Sequence, residues 1–184
     1  MPNIFTYFKS PPPFEVWHSH PNQTSQVLIT AGMHGDELSS IEAAESLIKS
    51  YRGHVPITII PILNQAGFDQ FQSINPLDNR DPIYLYPGSR FGSSSTQLMN
   101  QLSFYTRGKK LWIDLHGGAQ NEHLNPFIWA ADSYPIISHL KGRTLVNDTY
   151  TCDLPYIILE AGELGKIDQS SVKLHLSWVI DILD

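Results

Sequence analysis

The stretch Ala31-Gly32-Met33-His34-Gly35-Asp36-Glu37 decides the fold, because it joins an apolar run to an amphipathic segment through two glycines. It places a histidine and a carboxylate three residues apart. A second histidine, His116, ends another apolar run in the stretch IDLHGG. Two imidazoles and one carboxylate are a complete protein ligand set for a catalytic zinc ion that keeps its fourth position for water. The pattern therefore indicates a metal-dependent hydrolase.

Apolar runs alternate with amphipathic segments along the rest of the chain. These patterns predict strands at 27–31, 55–63, 110–115, 127–131 and 156–160, and helices at about 36–51, 93–107 and 168–183. The last helix is expected to bury Val172, Leu176, Val179, Ile180 and Leu183, and a long loop is predicted over 64–92. The alternation predicts an α/β fold, with a mostly parallel or mixed sheet and helices on both of its faces.

The length and composition favour a single globular domain over residues 1–184. The net charge of −6 argues against nucleic acid as a partner, and no apolar run approaches the roughly 20 residues that span a bilayer. The N-terminus lacks the basic and apolar segments of a secretion signal. Cys152 is the only cysteine, so no internal disulfide can form. These features together predict a cytoplasmic protein that binds neither nucleic acid nor membrane.

Three titratable residues stand at the carboxyl ends of predicted strands. His34 follows the first strand, His116 ends the third, and Glu160 ends the strand YIILE. Ligands bind at this edge in open α/β sheets, so the three residues are expected to share one site. Asp114 points to the same side of its strand as His116. It is either a carboxylate that orients the imidazole or a solvated residue at the sheet edge.

Further segments recur in a fixed order: PILNQAGF at 61–68, NPLDNRD at 75–81, YPG at 86–88, IDLH at 113–116 and ILEAG at 158–162. Together with AGMHGDE they resemble the succinylglutamate desuccinylase/aspartoacylase branch of the zinc carboxypeptidase-like proteins. The resemblance implies a zinc carboxypeptidase-like fold with one zinc ion per chain, bound by His34, Glu37 and His116. It also implies that Glu160 is the general base. Glu163 is the alternative base, because ELG also fits a Glu-x-Gly pattern.

The chain departs from this family in the loop that precedes the second zinc histidine. The family has an asparagine and an arginine there, and the arginine grips a substrate carboxylate, whereas this chain has Ile83 and Tyr84. Tyr84 is therefore predicted to contact substrate, and Arg80, Arg90 or Arg143 would replace the arginine only if the fold brings one of them in. The family's C-terminal β domain is expected to be absent, which would make this a truncated version of the fold.

The resemblance implies a zinc-dependent amidohydrolase that cleaves a small N-acyl amino acid or a related acylated amine. Two alternatives are a carboxypeptidase that cleaves peptides and a non-catalytic relative that binds zinc or another ligand. An arginine close to the metal site would favour either enzyme. A cleft filled by Tyr84 or Tyr86 would favour the non-catalytic relative.

Overall fold

The fold was analysed in a computed structural model, which describes residues 13–130, 150 and 152–184, and the backbone of 143–146. Seven strands of these residues form one sheet: β1 Trp17–His18, β2 Val27–Thr30, β3 Ile57–Ile60, β4 Leu111–His116, β5 Phe127–Ala130, β6 Arg143–Val146 and β7 Tyr156–Glu160. The helices are α1 Leu38–Ser50, α2 Gln65–Asp69, α3 Ser94–Thr106 and α4 Gln169–Leu183, with a 3₁₀ helix at Pro82–Leu85. The last residue of the predicted strand 127–131 lies outside the described residues.

The strands are arranged in the order β1-β3-β2-β4-β7-β5-β6. The four central strands β3, β2, β4 and β7 are parallel, whereas β1 runs antiparallel to β3 and β5 runs antiparallel to β7. The sheet is therefore mixed, as predicted. In the β4–β7 ladder, His116 lies opposite Glu160 at the carboxyl ends of the two strands.

Both faces of the sheet are covered by helices, which confirms the predicted layers. One face packs against α1 and α4 through an aliphatic core that includes Ile29, Ile113 and Leu159. The other face packs against α3 through a core that contains Trp112 and Tyr156. Side chains alternate between the faces along a strand, so Asp114, His116 and Glu160 belong to the α3 face.

The prediction of an uninterrupted loop over 64–92 was wrong. The Asn64 side chain accepts a hydrogen bond of 3.1 Å from the Gly67 N–H and so caps α2 at its start. In the same way, Asp81 accepts a hydrogen bond of 3.0 Å from the Ile83 N–H and begins the 3₁₀ helix. Both helices are too short for a hydrophobic period to show in the sequence.

Other boundaries differ from the predicted ones. Helix α1 begins at Leu38, because Glu37 has φ −91° and ψ 68°, outside the helical region. Ile180 was predicted to be buried but is 40% exposed, while Trp178 from the same helix lies in the core. Strands β1 and β6 were not predicted, since the first has only two residues and the second begins with an arginine. No helix of the described residues is long and apolar enough to cross a membrane.

Candidate metal centre and its cavity

The three predicted metal ligands converge at the carboxyl edge of the sheet. The Glu37 carboxylate lies between the two imidazoles, with Oε1 2.7 Å from Nδ1 of His34 and Oε2 3.1 Å from Nδ1 of His116. All three ligand atoms lie within 4.8 Å of one another. The two rings are nearly perpendicular, at 77°, with 5.0 Å between their centroids. One small volume is therefore surrounded by two nitrogen donors and a carboxylate.

Glycines permit this close approach of backbone segments. A Cβ atom at Gly35 would stand 2.0 Å from the backbone nitrogen of Phe68, so no other residue fits between His34 and helix α2. Gly32 has φ +63°, which turns the chain out of β2. The N–H of Gly117 donates a hydrogen bond of 3.0 Å to Oε2 of Glu37 and fixes that carboxylate from the β4 side.

Each imidazole faces a second carboxylate through its other nitrogen. Nε2 of His116 lies 2.8 Å from Oδ2 of Asp114, and Nε2 of His34 lies 3.2 Å from Oδ1 of Asp81. A hydrogen atom on each Nε2 would be donated to a carboxylate, which leaves both Nδ1 atoms free to bind a metal. Asp114 is 0% exposed, which rules out the solvated alternative, and the orienting role stays a prediction with which its contact to His116 is consistent. Asp81 was not predicted, because nothing in its sequence neighbourhood marks a partner 47 residues away.

The electrostatics of the cluster favour a bound cation. Burial alone would lower the pKa of His34, but Glu37 and Asp81 outweigh it and raise that pKa to about 10. Burial would raise the pKa of Glu37, but the two imidazoles outweigh it and lower that pKa to about 2. The negative charge of these carboxylates, which attracts protons to the imidazoles, also attracts a divalent cation. The donor types, their convergence and the second partner of each imidazole therefore fit a zinc ion.

Glu160 lies next to this cluster and lines the same cavity. Burial raises its pKa to about 8, with a further contribution from the charge of Glu37. Glu163 is different, because its side chain is 50% exposed and pairs with His123 at 2.7 Å. Glu163 is not among the residues that line the cavity.

The cavity in front of the ligands has a volume of about 290 Å³. Its apolar wall is formed by Ile83, Tyr84, Leu124, Phe127, Trp129 and Ile158. The rings of Phe127 and Trp129 lie 5.5 Å apart on the antiparallel strand β5, which carries them to the same side of the sheet as Glu160. Glu122 adds a carboxylate to the lining. None of the arginine and lysine side chains that the structure describes lines this cavity.

The predicted substrate-binding residues are separated by the fold. Tyr84 lines the cavity and is 76% exposed. Arg80 lies outside the lining, and its backbone pairs with Asn75. Arg90 also lies outside, with its guanidinium 4.6 Å from the centroid of the Phe91 ring. A substrate role for either arginine stays a prediction that this arrangement does not support, and the Arg143 side chain lies outside the described part of the chain.

A mixed sheet with two histidines and a glutamate at its carboxyl edge has the form of the zinc-peptidase-like hydrolase fold. Residues 23–139 match the family model described as the succinylglutamate desuccinylase/aspartoacylase catalytic domain. This match covers more than half of the chain, and the chain belongs to that family.

Solved structures agree with this assignment at the level of the fold. A succinylglutamate desuccinylase/aspartoacylase from Rhodobacter sphaeroides is 19% identical, with a TM-score of 0.73 over 87% of this chain and 55% of the other. An aspartoacylase family protein from Mesorhizobium loti is 23% identical, with a TM-score of 0.71 over 89% and 60%. A candidate metallopeptidase from Shewanella amazonensis is 14% identical, with a TM-score of 0.70 over 92% and 82%.

The chain thus spans little more than half the length of the first two of these structures. No curated protein matches it.

Proposed function

We propose that this protein is a zinc-dependent hydrolase that cleaves the amide bond of a small N-acyl amino acid or a related acylated amine. The observation that carries the proposal is the convergence of His34, Glu37 and His116 in a cavity that Glu160 also lines. Three ligands and a neighbouring carboxylate are the parts that metal-assisted hydrolysis requires. Membership of the desuccinylase/aspartoacylase family supports an amide as the bond that is cleaved.

Each residue has a distinct role in this proposal. His34, Glu37 and His116 would hold one zinc ion, which when bound polarises a carbonyl group and acidifies water. The Glu160 carboxylate accepts a proton from the attacking water and then delivers it to the leaving nitrogen. The C–O bond forms when the water oxygen adds to the carbonyl carbon, and the C–N bond then breaks as the nitrogen receives the proton, so the products are a carboxylate and an amine.

The surroundings of the two candidate bases favour Glu160 over Glu163. Glu160 lies opposite His116 in the sheet and has a side chain that faces the cavity. The Glu163 carboxylate instead contacts Nδ1 of His123 at 2.7 Å, and both of these side chains are at least half exposed. A general base must lie within reach of the proton that it removes, so its position in the cavity supports Glu160.

The state of the cavity supports an enzyme over a non-catalytic relative. Tyr84 lines the cavity without filling it, and its ring stays largely exposed. Tyr86 packs into the core instead, where its ring lies 5.2 Å from that of Trp112 and its hydroxyl lies 2.8 Å from the hydroxyl of Thr106. Neither tyrosine therefore blocks access to the predicted ligands. Peptide cleavage remains the alternative activity, and the panel below includes it.

The test combines metal content with a substrate panel. The protein would be stripped with a chelator, reloaded with zinc, and assayed on N-acetyl derivatives of neutral, aromatic and acidic amino acids, on N-succinylglutamate and on dipeptides. We expect one bound zinc ion per chain and turnover of N-acyl compounds that the chelator removes and zinc restores. Bound zinc without turnover would establish the non-catalytic relative, and turnover of dipeptides alone would establish the carboxypeptidase.

We also propose that the protein acts in the cytoplasm, because a chain with a single cysteine suits a reducing compartment. Fractionation of cells that produce the full chain would test this location. Recovery in a membrane or secreted fraction would contradict it.

A further inference from the structure

We infer that Tyr150 is a positioning residue of the metal centre, and that it acts on His116 through Asp114. The inference rests on the proposed zinc site. It concerns a residue 34 positions from His116 in the chain, in a segment that carried no motif in the sequence.

Asp114 is fully buried and accepts hydrogen bonds from three side chains. Its Oδ2 accepts from the hydroxyl of Tyr150 and faces Nε2 of His116, while Oδ1 accepts from the hydroxyl of Thr30. The direction of the Thr30 contact is set by Trp112, because the indole Nε1–H can only donate and already donates to the Thr30 oxygen at 2.7 Å. The Thr30 hydrogen is therefore directed at Asp114.

The Tyr150 hydroxyl is held against Asp114 by the packing of its ring. Tyr150 is 3% exposed, and its ring stacks on Trp112 with 4.2 Å between centroids and 29° between planes. The ring of Tyr156 contacts it edge-on at 5.1 Å, and the Tyr150 N–H donates to the Tyr156 hydroxyl at 3.3 Å. The ring of Tyr86 also contacts it edge-on at 5.8 Å. Tyr150 is thus held by three rings and at its backbone, which leaves its hydroxyl little freedom.

This arrangement determines which nitrogen of His116 faces the metal. Donors on both of its oxygens hold the buried Asp114 carboxylate in one orientation, and in that orientation Oδ2 accepts the Nε2 hydrogen of His116. Nδ1 of His116 is then free for the metal. Without the Tyr150 hydroxyl, Oδ2 of Asp114 would keep only the His116 imidazole as a donor among the described side chains. The carboxylate would be more costly to bury and less firmly oriented.

Asp81, the carboxylate that contacts the His34 imidazole, lacks in the described part of the chain the buried hydrogen bonds that hold Asp114. Asp81, which faces His34, is 30% exposed. Apart from the contact with His34, its Oδ1 accepts only the backbone N–H of Ile83 among the described residues. Asp114 is instead connected through Tyr150 and Thr30 to the aromatic core between β4 and α3. The His116 side of the centre is therefore the one that the core of the protein positions.

The experiment compares Tyr150→Phe with Tyr86→Phe. Each variant removes one phenolic oxygen from the same ring cluster, but the Tyr86 hydroxyl contacts Thr106 and not Asp114. Zinc affinity would be measured by competition with a chromophoric chelator, and the visible spectrum of the cobalt-substituted protein would report the ligand geometry. We expect Tyr150→Phe to weaken zinc binding by about 10- to 100-fold and to alter the cobalt spectrum. Tyr86→Phe should change the affinity by less than about twofold.

A double-mutant cycle tests whether Tyr150 acts through Asp114. In an Asp114→Asn background, adding Tyr150→Phe should change zinc affinity by less than about twofold, because the carboxylate that transmits the effect is gone. The comparison of Asp114→Asn with the double variant also tests the inference if Tyr150→Phe alone does not fold. Three outcomes would overturn the inference. The first is an unchanged zinc affinity in Tyr150→Phe, and the second is an equal loss of zinc affinity in Tyr86→Phe. The third is a further loss of zinc affinity of about tenfold when Tyr150→Phe is added to Asp114→Asn. These measurements use no substrate, so they test the inference even if the protein binds zinc without catalysing a reaction. If the wild-type protein binds no zinc, the inference is rejected together with the proposed metal site.

Discussion

The two ends of the cavity are built in different ways. At the inner end, called the metal end after the proposed site, His34, Glu37 and His116 are 15%, 5% and 1% exposed, and the Glu37 carboxylate contacts both imidazoles and the Gly117 N–H. At the outer end, Tyr84 is 76% exposed and stands in a wall of apolar side chains. A largely buried, hydrogen-bonded centre is therefore joined to an exposed entrance. The comparison predicts that the proposed chemistry depends on buried side chains, while the proposed choice of substrate depends on a few surface residues.

Secondary structure accounts for this difference. The metal end is formed by the carboxyl ends of β2, β4 and β7, which are central strands of the sheet. The outer end is formed by the 3₁₀ helix Pro82–Leu85 and by the loop before β5. Loops tolerate changes of side chain more readily than buried strands do. Substitutions at the metal end should therefore have larger effects than substitutions at the outer end.

The largest expected effect is the loss of metal from His116→Ala. Removing one of three protein ligands from a buried site should abolish stoichiometric zinc binding, which metal analysis of the purified protein would measure. His123→Ala is the matched control, because that histidine is exposed and pairs only with Glu163 in the described residues. Undiminished zinc in His116→Ala would show that the metal end is not where we place it.

Glu160→Gln should separate metal binding from catalysis. The variant keeps the volume of the side chain but cannot accept a proton, so it should retain zinc and lose about 10²- to 10⁴-fold in turnover. Steady-state kinetics on the best substrate of the panel would measure the loss. Glu163→Gln is the control and should stay active. The reverse result would transfer the role to Glu163, and full activity in both variants would reject this mechanism.

Asp81→Asn tests the contact at which the two ends of the cavity meet. The amide can no longer hold the Nε2 hydrogen of His34 as a carboxylate does, so zinc affinity should fall by about 10- to 100-fold. Competition with a chelator would measure it. Asp78→Asn is the control for a general disturbance of this loop, because the Asp78 carboxylate accepts hydrogen bonds from Ser95 and contacts none of the three proposed metal ligands. If both variants lose zinc equally, the loop rather than the carboxylate of Asp81 is responsible.

The smallest effects are expected at the outer end. An apolar wall without a described arginine should favour neutral or aromatic groups over dianions, since a bidentate partner for a carboxylate is missing. Values of kcat/KM for N-acetylphenylalanine should exceed those for N-acetylaspartate and N-succinylglutamate. Tyr84→Ala should lower kcat/KM for the aromatic substrate by about 2- to 10-fold, through loss of a ring contact. A clear preference for the dianions would indicate that Arg80, Arg90 or Arg143 binds the carboxylate.

Short sequence motifs predicted that the three proposed metal ligands would converge, and the structure brings their side chains together. A zinc ligand must be one of a few residue types, and His34, Glu37 and His116 stand where apolar runs end. The parallel order of β2, β4 and β7 then brings such strand ends together, so their convergence followed from the α/β pattern. The position of Glu160 was predicted on the same grounds, and the sheet places it opposite His116.

The residues that surround these ligands depended on tertiary packing. Asp81 and Tyr150 are 47 and 36 residues away from the side chains that they contact, and many residue types can donate or accept a hydrogen bond. Strand β5 runs antiparallel to β7, and this pairing brings Phe127 and Trp129 to the cavity. The sequence predicted a strand there but did not show in which direction it runs. A motif records which chemistry a side chain can perform, because that depends on residue type. Which neighbour orients that side chain depends on how distant segments pack, and only the folded structure determined it.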